Sequence, residues 1–204
     1  IQHLHSNPNF VFLKHDVTVP LDLAVFPELA QFKVPFQGIQ QVYHLACPMS
    51  PKDFETLRVE TLLANAYGTV NALHLAHRHQ AKFVLASSSV VYGTLPEPGK
   101  FQREDQYGIV DHLGPRACYN EGKRFAETAV ATYRQQYGID GKIARIFRTY
   151  GPRQPLGVGE MLPDFIVNAI EGKPLVVYGD DTFSTSLTYV DDVVAGLLTL
   201  MASE

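Results

Sequence analysis

The chain has 204 residues, of which 46% are hydrophobic and 19% charged, so it is long enough to bury a sizeable globular core. Its formal net charge of -4 argues against a surface for nucleic acid or anionic membranes, but not against a local pocket for a small anionic ligand. The sequence contains no basic-then-apolar leader and no apolar run of membrane-spanning length, so we expect a cytoplasmic protein that binds neither membranes nor nucleic acid.

Four compact apolar runs predict strands that are covered on both faces, because none of them alternates strictly between apolar and polar residues. The first is FVFLKHDV at residues 10–17, and the second is QQVYHLAC at residues 40–47. The third is KFVLASSSV at residues 82–90, and the fourth is KIARIFRTY at residues 142–150.

Two helical repeats separate the last three predicted strands. Gly68 lies inside the first repeat at a cost of about 1 kcal/mol relative to alanine, which indicates a close contact at that position. Strands that alternate with helices predict a parallel α/β sheet. The repeating positions are Leu62, Ala66, Val70 and Leu73 in the first helix, and Tyr119, Lys123, Ala126, Val130 and Tyr133 in the second.

From Gly151 onward, the chain predicts a smaller lobe that is separate from the α/β domain at residues 1–150. Glycine and proline are frequent at the start of this region, which is typical of a loop. The predicted elements of the lobe at residues 151–204 are a loop at 151–160, a helix at 161–172, a strand at 174–181 and a final helix at 189–201.

One expected motif is missing. A nucleotide-binding sheet of this kind normally opens with a strand, a glycine-rich turn, a helix and an acidic residue for the ribose. No sequence resembling GxxGxxG occurs, and the opening IQHLHSNPNF looks like the approach to a later strand. We therefore expect that the first βαβ unit, and part of the C-terminal lobe, lie outside these 204 residues.

The stretch CYNEGKRFAE places Tyr119 and Lys123 four residues apart, on one face of the predicted helix. A nearby ammonium favours ionised tyrosine, so we expect Lys123 to lower the pKa of Tyr119 from about 10. Such a phenol can take a proton from a sugar hydroxyl while hydride leaves the same carbon. Ser88 follows a predicted strand, where a parallel sheet presents ligands, and would hydrogen-bond that hydroxyl. The alternative is chance, since this spacing occurs in many helices.

The order of these motifs resembles the extended short-chain dehydrogenase/reductases, which include NAD-dependent nucleotide-sugar epimerases, dehydratases and decarboxylases. The resemblance covers nearly the whole chain, and HLAxPxSP is most similar to the branch of decarboxylases that act on UDP-glucuronate. It implies a Rossmann-type sheet, NAD as cofactor, a nucleotide-sugar substrate and no metal. The matching stretches are HDV (15–17), YHLACPMSP (43–51), NAYGTVN (65–71), RACYNEGKR (116–124), ARIFRTYGPR (144–153) and VYGDD (177–181).

The resemblance also implies individual roles. Tyr119 would be the base, Lys123 would hold the nicotinamide ribose, and Ser88 would assist. Asn65 is more similar to a residue that anchors a helix. The implied cofactor contacts are Asp16 and Val17 at the adenine, Leu45, Ala46 and Cys47 along the dinucleotide, and Asn71, Ser87 and Thr149. The implied substrate contacts are Pro48, Ser88, Ser89, Arg116, Arg148 and Tyr178.

Several positions depart from the family pattern. Decarboxylases and dehydratases carry an acid after the serine-threonine stretch, where Val90 stands here, and valine cannot transfer a proton. Arg148 replaces an asparagine, and Thr185 replaces an arginine expected at the diphosphate. Three functions therefore stay open: decarboxylation of UDP-glucuronate through C4 oxidation and re-reduction, 4-epimerisation of a UDP-sugar, and nucleotide binding without catalysis.

The resemblance further implies a homodimer that pairs through two long helices. Ala126, Thr128 and Ala129 offer a surface of small residues for this contact, although packing inside one subunit is the alternative.

Cys47 and Cys118 lack the spacing of metal ligands, which predicts two free thiols in a reducing compartment. His74, His77 and His79 lie at the end of a predicted helix, where cations are favoured by the helix dipole, so a metal site is not expected there.

Overall fold

The computed structural model of the chain describes residues 2–93, 101–177 and 185–204. Its main sheet has three parallel strands in the order β1 (Gln41–His44), β2 (Lys82–Ser88) and β3 (Gly141–Ile146). This confirms the predicted parallel α/β architecture, with the carboxyl ends of all three strands at one edge.

Helices occupy the segments where the sequence predicts them, and two short helices, Val34–Gln37 and Pro51–Thr56, were not predicted. The long one after β2 begins at Ala117 and ends where Gly138 adopts a left-handed conformation at φ 66°, which glycine tolerates without strain. The α-helices are α1 (Val34–Gln37), α2 (Pro51–Thr56), α3 (Arg58–Leu63), α4 (Thr69–His79), α5 (Ala117–Tyr137), α6 (Met161–Ile170) and α7 (Val190–Ala202). Short 3-10 turns cover Gln2–Leu4, Leu23–Val25, Pro27–Phe32 and Ser89–Tyr92.

A single π-helical turn, Ala64–Gly68, joins α3 to α4. Gly68 lies in it, and a Cβ atom there would come within 3.0 Å of a Val17 methyl carbon, so the close contact predicted at this glycine is confirmed. The Asn71 side-chain amide donates a hydrogen bond of 2.9 Å to the Val17 carbonyl oxygen. The N-terminal segment is therefore held against this helical run.

The core lies between the sheet and the helices α4 and α5. Apolar side chains from all three elements form one buried cluster, which fixes the height of each helix over the sheet. Its members are Leu73, Ala76, Ala81, Phe83, Leu85, Ala126, Ala129 and Val130.

Three strand predictions differ from the structure. Residues 10–17 form no strand, because a strand exists only through pairing and no strand lies beside the outer edge of β1 in the described part of the chain. The run predicted at 142–150 splits at Phe147 into β3 and β4 (Arg148–Tyr150). β4 pairs in parallel with β5 (Leu187–Tyr189), which no apolar pattern predicted. Residues 174–177 form no strand, and the rest of that predicted strand lies outside the described residues.

The boundary between the domain at 1–150 and the lobe at 151–204 stays a prediction. The pairing of β4 with β5 joins residues on its two sides. The Lys142 ammonium also donates a 2.9 Å hydrogen bond to the Ser203 carbonyl oxygen, which ties the end of α7 to β3.

Within the described residues, no helix is long and apolar enough to span a membrane. The same residues contain no group of three or more potential metal-binding side chains. The rings of His74 and His77 instead lie 5.7 Å and 4.6 Å from those of Tyr133 and Tyr137 on α5.

Candidate active site at the carboxyl end of the sheet

Ser88 is the last residue of β2 and opens the site. Its side-chain oxygen accepts a hydrogen bond of 3.4 Å from the Val90 backbone amide, which caps the 3-10 turn that follows the strand. Ser87 and Ser88 project to opposite faces because side chains alternate along a strand. Ser87 is buried, whereas Ser88 is partly open.

Tyr119 and Lys123 approach Ser88 from α5. Only 6% of Tyr119 and 5% of Lys123 is exposed, so both polar groups lie in the interior. The Lys123 ammonium lies 5.8 Å from the centre of the Tyr119 ring and donates a 2.9 Å hydrogen bond to the Ala86 carbonyl oxygen on β2. Tyr119 is hydrogen-bonded to the Ser88 side chain. The structure thus brings together the three residues predicted to be catalytic.

The expected lowering of the Tyr119 pKa is wrong in direction. Burial raises the pKa of Tyr119, and this outweighs the hydrogen bond from Ser88 and the charge of Arg116, which lower it. The Lys123 ammonium is directed at the Ala86 carbonyl, and burial lowers the pKa of Lys123 itself. The spacing along the helix correctly predicted that Tyr119 and Lys123 lie close together, but the depth of burial decides the direction of the Tyr119 pKa shift.

The residues at the end of β1 and on α5 fit a dinucleotide. An ammonium has three N–H donors, and that of Lys123 meets one hydrogen-bond acceptor among the described residues, which leaves two donors for a diol. Leu45 follows β1 and is 58% exposed, an apolar side chain at an edge where parallel sheets bind ligands. Ala46 and Cys47 come next and are half-buried.

Asn65 anchors the π-helical turn below this edge, as expected from the sequence. Its buried side-chain amide donates hydrogen bonds of 2.9 Å to the Cys47 sulfur and to the Thr61 carbonyl oxygen. A Cβ atom at Gly122 would come within 2.9 Å of the Asn65 Cβ, so α5 packs on the turn without space for a side chain. Burial raises the pKa of the Cys47 thiol.

Asp16, Val17 and Asn71 lie together in the structure. The Asp16 carboxylate accepts hydrogen bonds of 2.9 Å from the Thr18 amide and hydroxyl, and these lower its pKa. The Asn71 amide meets the Val17 carbonyl. Asp16 is exposed, so it is accessible to a ligand, and its predicted role at the adenine stays a prediction.

The predicted substrate residues are only partly brought together. Arg148 on β4 forms an ion pair with Glu160, at 3.6 Å between Nη1 and Oε2. The charges of Arg116 and Glu160 both act on Tyr119, with opposite signs. Thr149, a predicted cofactor contact on the same strand as Arg148, donates a 3.3 Å hydrogen bond to the Phe147 carbonyl oxygen, and its role stays a prediction. Two further positions, Pro48 and Ser89, flank the site after β1 and β2, and Tyr178 lies outside the described residues.

His44 was missed by the sequence analysis. It is the last residue of β1, is buried, and its Nε2 atom lies 3.1 Å from the Thr69 hydroxyl oxygen. Burial and then the charge of Lys123 lower its pKa to about 4. The sequence signal that could have identified His44 is a histidine at the end of an otherwise apolar predicted strand.

A second polar group was also missed. The Ser87 hydroxyl donates a 2.5 Å hydrogen bond to Glu127, which lies one turn after Lys123 on α5. Arg145 binds the same carboxylate at 2.8 Å. The Ser87 hydroxyl thus donates its hydrogen bond inside the protein, and the cofactor contact predicted for Ser87 stays a prediction.

The expected surface of small residues on α5 is wrong at two of its three positions. Ala126 and Ala129 are buried in the core of the subunit, and only Thr128 is exposed. Packing inside one subunit, the alternative interpretation of this pattern, accounts for both alanines.

Comparison with known proteins gives consistent matches. Residues 1–204 match the NAD dependent epimerase/dehydratase family. The chain is 42% identical over 203 residues to UDP-glucuronic acid decarboxylase 1 of Arabidopsis thaliana, covering 99% of this chain and 43% of the plant protein. It is 41% identical over 203 residues to UDP-glucuronic acid decarboxylase 1 of Danio rerio, covering 100% of this chain and 45% of the fish protein.

Solved structures agree with these matches. UDP-glucuronic acid 4-epimerase from Bacillus cereus, in complex with UDP-glucuronic acid and NAD, superposes with a TM-score of 0.76 at 27% identity, over 100% of this chain and 59% of the epimerase. dTDP-glucose 4,6-dehydratase from Bacillus anthracis, in complex with NAD, shares the fold with a TM-score of 0.76 at 22% identity, over 100% of this chain and 58% of the dehydratase. The chain therefore spans about half the length of the curated relatives it matches and somewhat more of the solved ones.

Proposed function

Because this chain belongs to the NAD dependent epimerase/dehydratase family, we propose that it carries the catalytic centre of an enzyme that converts UDP-glucuronate by oxidation at C4. One observation carries the proposal: Tyr119, Ser88 and Lys123 converge at the carboxyl end of β2. The similarity to UDP-glucuronic acid decarboxylases supports the substrate, although those proteins are about twice as long as this chain.

The proposed roles follow from the contacts. Tyr119 takes the proton of the sugar C4 hydroxyl, and Ser88 holds that hydroxyl by a hydrogen bond. Lys123 uses its remaining donors to hold the nicotinamide ribose. Bound NAD would supply the hydride acceptor and, in its oxidised form, a positive charge near the phenol. That charge matters because burial raises the pKa of Tyr119, so its ionised form needs stabilisation.

Decarboxylation is the first candidate reaction. Oxidation at C4 places a ketone in the β position relative to the C6 carboxylate. Carbon dioxide can then leave because the ketone accepts the electron pair of the broken C5–C6 bond. The resulting enolate takes up a proton at C5, and the ketone would finally be reduced with the hydride that NAD accepted in the oxidation. The loss of carbon dioxide needs little help from side chains, so Val90, which cannot transfer a proton, does not exclude it.

A 4-epimerase is the second candidate, and Val90 is the observation that favours it. Decarboxylases and dehydratases of the family carry an acid at this place, whereas SSSVVYG is more similar to the epimerases. The likeness to the UDP-glucuronic acid 4-epimerase structure supports the same substrate. In this reaction the keto sugar rotates and is reduced on its other face.

Incubation of the full-length protein with UDP-glucuronate and NAD tests the proposal. Carbon dioxide and a UDP-pentose indicate decarboxylation, and a C4 epimer without carbon dioxide indicates epimerisation. Tyr119→Phe should abolish turnover and leave nucleotide affinity largely unchanged, with Tyr137→Phe, at an exposed tyrosine of the same helix, as control. Unchanged turnover in Tyr119→Phe would remove the mechanism. If the wild-type protein yields neither product nor bound NADH, the third function, nucleotide binding without catalysis, applies instead.

We also propose a homodimer that pairs through the helical side carrying α3 and α5. Val59 and Leu62 on α3 and Phe125 on α5 are exposed apolar side chains, and the two helices are in contact. Sedimentation of the full-length protein tests this proposal. Phe125→Glu should shift the population toward monomers, and a monomeric wild-type protein contradicts the dimer.

A further inference from the structure

Three successive turns of α5 contact three successive residues at the end of β2. The helix thus meets the strand through polar contacts as well as through the apolar core. Two of these contacts involve the proposed catalytic residues, and the third lies one turn further along. In helix order, Tyr119 meets the Ser88 side chain, Lys123 meets the Ala86 carbonyl oxygen at 2.9 Å, and Glu127 meets the Ser87 hydroxyl at 2.5 Å.

Arg145 completes the third contact from β3. It stands opposite Ser87 in the register of the two strands, so both side chains project toward α5. Its Nε atom lies 3.0 Å from Oε1 of Glu127, and its Nη2 atom lies 2.8 Å from Oε2. This two-pronged contact holds the carboxylate in one orientation.

The same guanidinium reaches the turn that follows Ser88. Its central carbon lies 4.7 Å from the centre of the Tyr92 ring, which is buried at the end of that turn. Its Nη1 atom donates a 3.1 Å hydrogen bond to the Glu104 carbonyl oxygen. Arg145 therefore connects β2, the turn after it, α5 and the segment around residue 104.

We propose that Glu127 is a positioning residue, which acts with Ser87 and Arg145 to set the position of α5 along β2 and thereby the contact between Tyr119 and Ser88. For its catalytic consequence, this inference rests on the proposed function. Ser87 and Ser88 then have separate tasks: the first holds the helix, and the second faces the substrate.

The strength of the contact supports this role. Glu127 and Arg145 expose only 13% and 25% of their side chains, so solvent screens the pair weakly. A charged acceptor also makes the bond from Ser87 stronger than a neutral one. The bond from Lys123 ends on a single carbonyl oxygen, so by itself it fixes the helix at one point only. Displacement of reacting groups by about 1 Å can cost roughly 100-fold in rate.

Glu127→Gln tests the inference, because it keeps the size of the side chain and removes its charge. The ionisation of Tyr119 is measured in the full-length protein by ultraviolet titration, as the difference between each protein and the same protein with Tyr119→Phe. We expect Tyr119 to titrate at higher pH in Glu127→Gln, because the hydrogen bond from Ser88 that favours the phenolate is weakened. We expect kcat to fall about 10-fold or more with little change in KM.

Glu121→Gln is the matched control, since Glu121 is on the same helix and pairs at its surface with Arg124 at 3.7 Å. It should leave the Tyr119 titration and kcat unchanged. Ser87→Ala is the second variant, because it removes only the bond to the strand and keeps the ion pair that supports folding.

The outcomes separate a positioning role from a purely structural one. A shift of the Tyr119 titration to higher pH in both Glu127→Gln and Ser87→Ala, absent in Glu121→Gln, supports the inference, because Ser87→Ala removes no charge. A titration that is unchanged or moves to lower pH in the folded variants overturns it, even if their stability falls. The titration does not require turnover. An unchanged titration can therefore overturn the positioning role while the proposed reaction stands, and a shifted titration can support that role in a protein without activity.

Discussion

The Nε2 atom of His44 lies 3.1 Å from the Thr69 hydroxyl oxygen, in the interior below the candidate site. Burial of the ring, followed by the charge of Lys123, lowers the pKa of His44 from 6.5 to about 4. A neutral histidine thus belongs to the folded state near neutral pH, whereas the unfolded chain takes up a proton on this residue below about pH 6.5.

The stability of the protein should therefore depend on His44 in mildly acidic solution. The contribution of a neutral His44 is complete above pH 6.5 and is lost as the pH falls toward about 4, by on the order of 3 kcal/mol. His44→Gln cannot be protonated and should lose less of its free energy of unfolding across this range. Urea unfolding at several pH values measures the difference, with the exposed His112→Gln as control. Equal pH dependence in wild type and His44→Gln would contradict the assignment.

Lys123 should lower the stability of the folded chain at neutral pH. Burial lowers its pKa below 10.5, so the unfolded state binds more protons between the folded-state value and 10.5, and wild-type stability rises with pH there. Lys123→Met should be more stable than wild type at neutral pH, and this advantage should shrink as the pH rises toward 10.5. It should also bind NAD more weakly, as measured by calorimetry. Lys173→Met, at an exposed lysine, is the control, and a loss of stability in Lys123→Met at neutral pH would reject the argument.

Gly122 should tolerate no side chain. In Gly122→Ala the new methyl group would meet the Asn65 Cβ at 2.9 Å, and overpacking of this kind costs about 1–3 kcal/mol. Gly196 lies in α7, where a methyl group would meet no described neighbour within 4 Å, so Gly196→Ala should gain up to about 1 kcal/mol from helix propensity alone. Thermal or urea unfolding of the two variants compares them. Similar stabilities would show that Asn65 can move aside.

Val90 should influence the fate of the keto sugar. A carboxylate there would stand in the turn directly after Ser88 and could transfer a proton, which valine cannot. Val90→Glu should increase the ratio of decarboxylated to epimerised product by several-fold, measured as carbon dioxide released per UDP-glucuronate consumed. Val90→Gln has the same shape without an acidic proton. If both variants change the ratio equally, proton transfer is not the cause.

Local signals predicted much of the fold. Short local patterns were sufficient to predict the apolar runs that form β1, β2 and β3 and the periodic segment that forms α5. Residues 10–17 are equally apolar but form no strand, because pairing depends on a neighbour that the run itself does not encode. The β4–β5 pair was missed for the same reason: it joins residues nearly 40 positions apart.

The candidate site was predicted in part. Helical spacing brought Tyr119 and Lys123 together, and the order of elements placed Ser88 beside them. The direction of the Tyr119 pKa was wrong because spacing does not reveal how far a group is buried. The contacts of Glu127 with Ser87 and Arg145 depend on the register between β2 and β3, which only the folded sheet shows.

The π-helical turn Ala64–Gly68 restricts the lengths that this part of the chain can have. It holds one residue more than an ordinary turn, and without it every side chain of α4 would be rotated by about 100° relative to α3. Asn71 would then turn away from the Val17 carbonyl, and Leu73 would leave the core. A single-residue deletion inside the turn should thus be far more disruptive than one in the loop before α2, since it would put the two halves of the helix out of phase.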